Sequence, residues 1–236
     1  MKTTIFATAI FAAATAFAAD GSTSSPTVSP NSTTEKGWTH FVGAGVTVPV
    51  SKYNIDDMDY SMVSGGVNLN YMGVGKSGFA VKVSWSAGAG FTDDVKFDAD
   101  DDQTAGTYTA GEVGVGYAFV NTPDWTVAAL AMVGIEAAMF TKDEGKYQHP
   151  ELGKVDWTRS VTVGALTLGG DVVVRKALGK HAGVFASVGG RWVPVAVSIN
   201  TNEYENDDVG RTDNIKSSES DGGFTVVPTV GAMWSF

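Results

Sequence analysis

Residues 79–91 read FAVKVSWSAGAGF, and the alternation in this stretch decides the fold. Phe79, Val81, Val83, Trp85, Ala87, Ala89 and Phe91 take every second position; Ala80, Lys82, Ser84, Ser86, Gly88 and Gly90 fill the gaps. Period two is the spacing of a strand whose faces meet different surroundings. Here one face is bulky and apolar, and the other is small, polar and once charged.

The same pattern recurs on either side, and it predicts eight strands in 37–236. The first, 38–50, carries Val42, Ala44, Val46, Val48 and Val50 on its apolar face. The second, 59–72, sets Val63, Val67, Leu69 and Tyr71 against Ser64, Gly66, Asn68 and Asn70. The fourth, 106–120, opposes Val113, Val115, Tyr117 and Phe119 to Glu112, Gly114, Gly116 and Ala118. The fifth, 124–140, puts Trp125, Val127, Val133 and Ile135 opposite Thr126, Met132, Gly134 and Glu136. The sixth, 157–176, pairs Leu166, Leu168, Val172 and Val174 with Thr167, Gly169, Asp171 and Arg175 on the other side. The seventh, 181–198, places Ala182, Val184, Ala186, Val188 and Trp192 against Gly183, Ser187, Gly189 and Arg191. The eighth, 223–236, carries Phe224, Val226, Val230, Ala232, Trp234 and Phe236 on one face. Leu130, Val161 and Val163 break the pattern in strands five and six, where a β-bulge would shift the register. A helix over 128–138 is the competing reading; Trp125, Val127, Val133 and Ile135 favour a strand.

The connections set an orientation. GVGKS, NTPD and ALGK are short turns after strands two, four and six, whereas 93–106, 141–156 and 201–222 are long and charged. Short turns at one end and long loops at the other is the pattern of transmembrane barrels, with the long loops extracellular and both termini periplasmic. Aromatic residues fall near both strand ends: Trp38, Tyr71, Phe79, Phe119, Trp125, Trp234 and Phe236 at one, and Tyr60, Phe91, Tyr108, Trp157, Trp192 and Phe224 at the other. Two such bands suit the headgroup layers of a bilayer.

The ends and composition agree with export. Lys2, an apolar run over 5–14 and Ala16-Phe17-Ala18 predict a signal peptide, residues 1–18. Residues 19–36, rich in Ser, Thr and Pro, predict a flexible leader. No later segment has the unbroken apolar run of a membrane helix, which leaves an exported soluble chain or a closed barrel. Cysteine is absent, which removes disulfide scaffolds, thiolate metal sites and a lipidated cysteine. A net charge of −10 argues against nucleic acid as a partner. A soluble lipocalin-like barrel is the fold alternative, and it requires the apolar face inside.

The segment FTVVPTVGAMWSF, which alternates down to Phe236, resembles the assembly signal of bacterial outer-membrane barrels. With the signal peptide, the eight strands and the short turns, 37–236 resembles the small OmpA- and OmpX-type barrels of Gram-negative cell envelopes. That resemblance implies an all-β, antiparallel up-and-down transmembrane barrel in contact with outer-membrane lipid, probed during insertion by the barrel-assembly machinery, and monomeric. No peptidoglycan-binding domain follows, so that role of the family does not carry over.

The predicted lumen charges are Lys82, Glu112, Glu136, Asp171, Arg175 and Arg191. Isolated charges in a narrow barrel are costly, so they are expected to pair. Counting from the short turns puts Glu136 beside Arg191, with Glu112 in reserve, and gives Lys82 either Glu112 or Asp171. The expected role is structural or surface-interacting, with a lumen closed by these side chains; a porin-like channel for small polar solutes or apolar ligands is the alternative. Asp98, Asp100 and Asp102 have calcium-loop spacing, but Gln103 and Thr109 stand where that motif needs glycine and glutamate, so an ordinary acidic loop is expected. His40, His149 and His181 have no spacing that assembles a nucleophile, base and orienting acid, so no catalytic, cofactor or metal residue is assigned and a lipid-modifying enzyme is a minor alternative. A charge at Phe236 should impair insertion more than the same charge at inward-facing Ser235. Heat-modifiable gel mobility of Phe236→Asp and Ser235→Asp checks this, with equal insertion as the contrary result.

Overall fold

A computed structural model describes residues 37–55, 58–95, 104–206, 210–217 and 220–236. The predicted signal peptide and leader, 1–18 and 19–36, lie outside the described residues, as do Asp98, Asp100, Asp102 and Gln103. The chain forms β1 (Trp38–Thr47), β2 (Val50–Ile55), β3 (Met58–Gly75), β4 (Phe79–Thr92), β5 (Thr104–Asn121), β6 (Trp125–His149), β7 (Gly153–Ala177), β8 (Ala182–Glu205), β9 (Gly210–Ser217) and β10 (Ser220–Ser235).

Each of these strands pairs antiparallel with its neighbours, and the order closes on itself. β1 pairs on one side with β3 (Val46↔Val67) and on the other with β10 (Val46↔Val230), while β10 also pairs with β8 (Val230↔Ala186). β2 continues the line of β1 between β10 and β3. The interruption at 48–49 coincides with Pro49, which has no N–H to give the ladder, although its carbonyl still accepts from Ser64 N at 2.8 Å. β9 and β10 likewise occupy one wall position beside β8. The result is an all-β antiparallel ring of eight strands. Within the ring, closure satisfies the backbone ladder all the way round and leaves no edge.

The faces follow the sequence pattern. Val46, Val67, Val83, Val115, Ile135, Val172, Trp192 and Trp234 are exposed on the outside, whereas Asn68, Asn70, Ser84, Ser86, Thr126 and Arg191 are buried inside. That is the reverse of a soluble barrel, so the lipocalin-like alternative does not describe this chain. Residues 128–138 are strand, and Leu130 and Val163 are buried in the lumen without reversing the faces around them. One register shift near them belongs to β8: Leu166 pairs Val195 and Leu168 pairs Trp192, so Val193 and Pro194 together oppose Thr167. Proline has no N–H to place in a ladder and is tolerated at such a bulge.

Three expectations need correction. The segments 141–156 and 201–222 are largely strand: β6 and β7 pair out to His149↔Gly153, and β8 pairs β9 out to Glu205↔Gly210. Beyond an apolar medium neither face of a strand need be apolar, so period two fades while the ladder continues. Tyr60 and Tyr108 do not join a girdle; both are buried inside. Their even positions, shared with Ser64 and Glu112, already place them on the lumen face of their strands. Trp157, at an odd position on β7 like Val163 and Asp171, is on that side too, whereas Phe91, Trp192 and Phe224 are exposed outward.

Close packing inside the wall depends on glycine. Gly66 and Gly88 are register partners, and a Cβ on either would overlap a carbonyl oxygen of the facing strand, Ala87 O or Gly65 O. Gly78, at φ 87° in the turn after β3, leaves room for the ring of Tyr117. Gly88→Val should therefore cost about 1–3 kcal/mol in reversible unfolding in detergent, the usual range for overpacking. Ala87→Val, on the outward face, should leave the midpoint unchanged; equal effects would mean that the approach at Gly88 is not tight.

Candidate functional site

Arg191 points inward from β8 and is 1% exposed. Its guanidinium has five N–H donors. Nε donates to Glu112 Oε1 at 2.5 Å, and Nη2 donates to Glu112 Oε2 at 3.1 Å and Asp171 Oδ1 at 2.6 Å. Nη1 donates to the carbonyls of Gly170 at 2.8 Å and Gly190 at 3.2 Å. Asp171 receives its second cation from Lys82, whose Nζ lies 2.5 Å from Oδ2. Glu112, Arg191, Asp171 and Lys82 thus form one chain across the lumen, from β5 to β8 to β7 to β4, with two charges of each sign. Gly189 makes room for it, since a Cβ there would overlap Asp171 Oδ1 and Arg191 Nη1.

Glu136 does not meet Arg191. Its Oε1 accepts from Tyr53 Oη at 2.7 Å and Thr225 Oγ1 at 2.8 Å, and its Oε2 from Tyr108 Oη at 3.4 Å. Sheet register explains the difference. Arg191 faces Gly169, and Gly169 faces Met132, four residues short of Glu136 on β6. Counting along each strand from its turn ignores the stagger that barrel closure imposes. Glu112, the reserve partner, faces Gly134 instead and lies within reach of the guanidinium. Tyr53, Tyr108 and Thr225 were not assigned from sequence. Tyr53 was legible only by carrying the parity of β1 across Pro49.

Neutral groups complete the polar belt. Asn70 Nδ2 donates to Asn68 Oδ1 at 2.9 Å, Asn68 Nδ2 to Ser86 Oγ at 3.0 Å, and Ser84 Oγ to Glu112 Oε2 at 3.3 Å. An apolar layer lies on each side of the belt. Phe41, Met72, Val74, Leu130, Met132 and Met233 pack toward the short turns. Tyr60, Met62, Phe140, Val163 and Val193 pack toward the long hairpins, joined there by Val95 from the loop after β4. Arg175 stands apart from the belt: its Cζ lies 4.7 Å from the centre of the Phe41 ring, and its Nη2 donates to Ser235 Oγ at 3.4 Å.

Phe224, Val226, Val230, Ala232, Trp234 and Phe236 all project outward. The histidines stay apart: His40 Nδ1 is 2.7 Å from Tyr71 Oη, His181 Nδ1 is 2.9 Å from Ser235 O, and His149 Nδ1 accepts from the backbone N–H groups of Glu151 and Leu152. Among the described residues no group of three or more His, Asp or Glu side chains is placed to hold a metal ion.

No protein-family model and no curated relative matches the sequence. Solved structures do match. The chain is structurally similar to small outer-membrane β-barrels. One is Ail, the attachment invasion locus protein of Yersinia pestis, at 14% identity, with 85% of this chain and 99% of that chain covered and a TM-score of 0.45. Another is the outer membrane protein OprG from Pseudomonas aeruginosa, at 12% identity, 85% and 96% coverage and a TM-score of 0.48. A third is the outer membrane protease OmpT from Escherichia coli, at 7% identity, 88% and 100% coverage and a TM-score of 0.43. The likeness is one of fold, and because it spans a protease it assigns no activity.

Removing one member of a buried ion pair strands the other, at a cost of about 3–5 kcal/mol. Arg191→Met should therefore destabilise the barrel by that amount in denaturant titration. The double variant Arg191→Met with Glu112→Gln should recover part of it, because one uncompensated carboxylate is gone. Additive losses in the double variant would mean that Arg191 and Glu112 are not coupled.

Proposed function

We propose that this chain is an integral outer-membrane barrel, monomeric, with a closed lumen and a structural or surface-interaction role. The observation that carries the reading is the order of layers along the axis: an apolar layer, the belt of Lys82, Glu112, Asp171 and Arg191, and a second apolar layer. An eight-stranded ring is narrow enough for side chains to fill. The apolar exterior supports lipid contact. The paired strands beyond the second layer supply the surface offered to the environment, with the short turns and both termini on the periplasmic side. The outward stripe of β10 ending at Phe236 supplies what the insertion machinery reads.

Closure makes a prediction that separates this reading from a channel for small polar solutes. In planar bilayers the native protein should give little or no steady conductance. Arg191→Ala should raise conductance or abolish the heat-resistant fold. A large, constant native conductance that Arg191→Ala leaves unchanged would overturn the closed barrel and establish a pore.

A further inference from the structure

The short-turn end is cationic in an acidic chain. The protein carries a net charge of −10. Yet among the described residues the charged side chains on the short turns and the outer wall beside them are Lys76, Asp124, Lys176 and Lys180. Of these, Lys176 has a defined setting. Its Nζ lies 5.3 Å from the centre of the Trp125 ring, and Trp125 is its register partner on β6. Both side chains belong to the outward face, Lys176 at the parity of Val172 and Trp125 at that of Val133. Leu178, beyond Lys176 in the turn, is 66% exposed. Leu178 N donates to Ala182 O at 2.9 Å, and Ala177 N donates to Asp124 O at 2.7 Å, so the turn is held to β8 and to the turn before it.

No carboxylate neutralises this ammonium. Asp124 offers Ala177 its backbone carbonyl and forms no ion pair with Lys176, and among the described residues no other acid does. The indole face meets the charge from one side, and three N–H donors remain for an oxyanion. A lysine placed among apolar wall residues lays its stem along them and carries its charge to the headgroup layer. The counter-charge at that depth is a lipid phosphate. A zwitterionic lipid brings its own cation to compete for that phosphate, and an anionic one does not, so a cationic rim selects the anionic lipid.

We propose that Lys176, seated on Trp125, binds the phosphodiester of an anionic phospholipid in the membrane leaflet that meets the short turns. The site rests on the reading of the chain as a membrane barrel with those turns on the periplasmic side. It is independent of whether the lumen is closed.

The test uses the full chain in detergent micelles doped with phosphatidylglycerol or chain-matched phosphatidylcholine, with retained lipid counted by native mass spectrometry. The native protein should retain phosphatidylglycerol in preference. Lys176→Gln should weaken that retention about tenfold, the loss of a charged hydrogen bond, and Lys176→Arg should keep it. Lys76 stands on the β3–β4 turn, four wall positions from β7, and among the described residues has no ring contact. Lys76→Gln removes the same charge there and should leave retention within about twofold in physiological salt. Equal retention of both lipids by the folded native protein overturns the site, as do equal losses in Lys176→Gln and Lys76→Gln. Retention of lipid A ahead of phosphatidylglycerol, equally dependent on Lys176, overturns the choice of leaflet. Loss of the heat-resistant fold in lipid-doped micelles overturns the barrel reading and the site with it. Should Lys176→Gln alone fail to fold, phosphatidylglycerol with a photoreactive headgroup decides on the native protein: crosslinks at Trp125 or 176–178 support the site, and crosslinks confined to other turns overturn it.

Discussion

A guanidinium that cannot leave the lumen governs the rest of the barrel. Arg191 is fixed to a wall whose outer face is apolar, and at 1% exposure its hydrogen bonds must be met by the protein itself. Its acceptors come from Glu112 on β5, Asp171 and Gly170 on β7, and Gly190 on its own strand. These partners coincide only in one register. Slipping β8 by one residue against β7 would turn Arg191 outward and bring Trp192 into the lumen. The charge belt therefore gives little net stability over an apolar filling, since desolvation offsets most of the attraction, but it excludes neighbouring registers at high cost.

The belt in turn demands the rest of the interior. Charges that solvate one another must be kept from water at both ends, and the apolar layers do this with residues as large as Phe41 and Phe140. Space is limited inside an eight-strand ring, so bulky side chains in some positions require glycine in others, as Gly189 does for Arg191 and Asp171. Glu136 belongs to this arrangement in a different way. It collects hydroxyls from β2, β5 and β10, and so ties three walls together without a cation. Each of these hydroxyls meets a lone pair that burial would otherwise leave unsatisfied.

The strands and their faces were legible because an apolar exterior imposes a rule on every second residue, and the run 79–91 obeys it without exception. The inward direction of the charges was legible for the same reason, since parity alone puts Lys82, Glu112, Glu136, Asp171, Arg175 and Arg191 inside. Which of them join the belt, and with which partner, was not. Which strands are staggered by how much is a property of closure, and no local feature of the segment around Arg191 reveals that Glu112 rather than Glu136 lies opposite. Tyr108 shows the opposite failure: its parity is visible in the sequence, but an aromatic near a strand end also fits a girdle. The strand pairing of 141–149 with 153–161 was hidden because its ladder is a backbone property, and its polar side chains carry no alternation.

The same physics gives the two ends of the barrel different characters. At the short turns the wall stops as soon as the apolar exterior stops. At the other end β6, β7, β8 and β9 continue as a sheet while β4 ends at Thr92 and β5 begins at Thr104, so the rim is uneven. A lone two-stranded ribbon in water is marginal. Here β8 pairs β7 through Trp157↔Tyr204, whose rings lie 6.0 Å apart at 14°, and Tyr147 packs on Trp157 at 5.4 Å. Arg159 lies over the Trp157 ring at 5.7 Å and bonds Glu144 at 3.4 Å. Cross-strand aromatic pairs of this kind stabilise the sheet where its apolar exterior has ended. The extension is thus built as a paired sheet carrying aromatic and charged side chains on its lumen side.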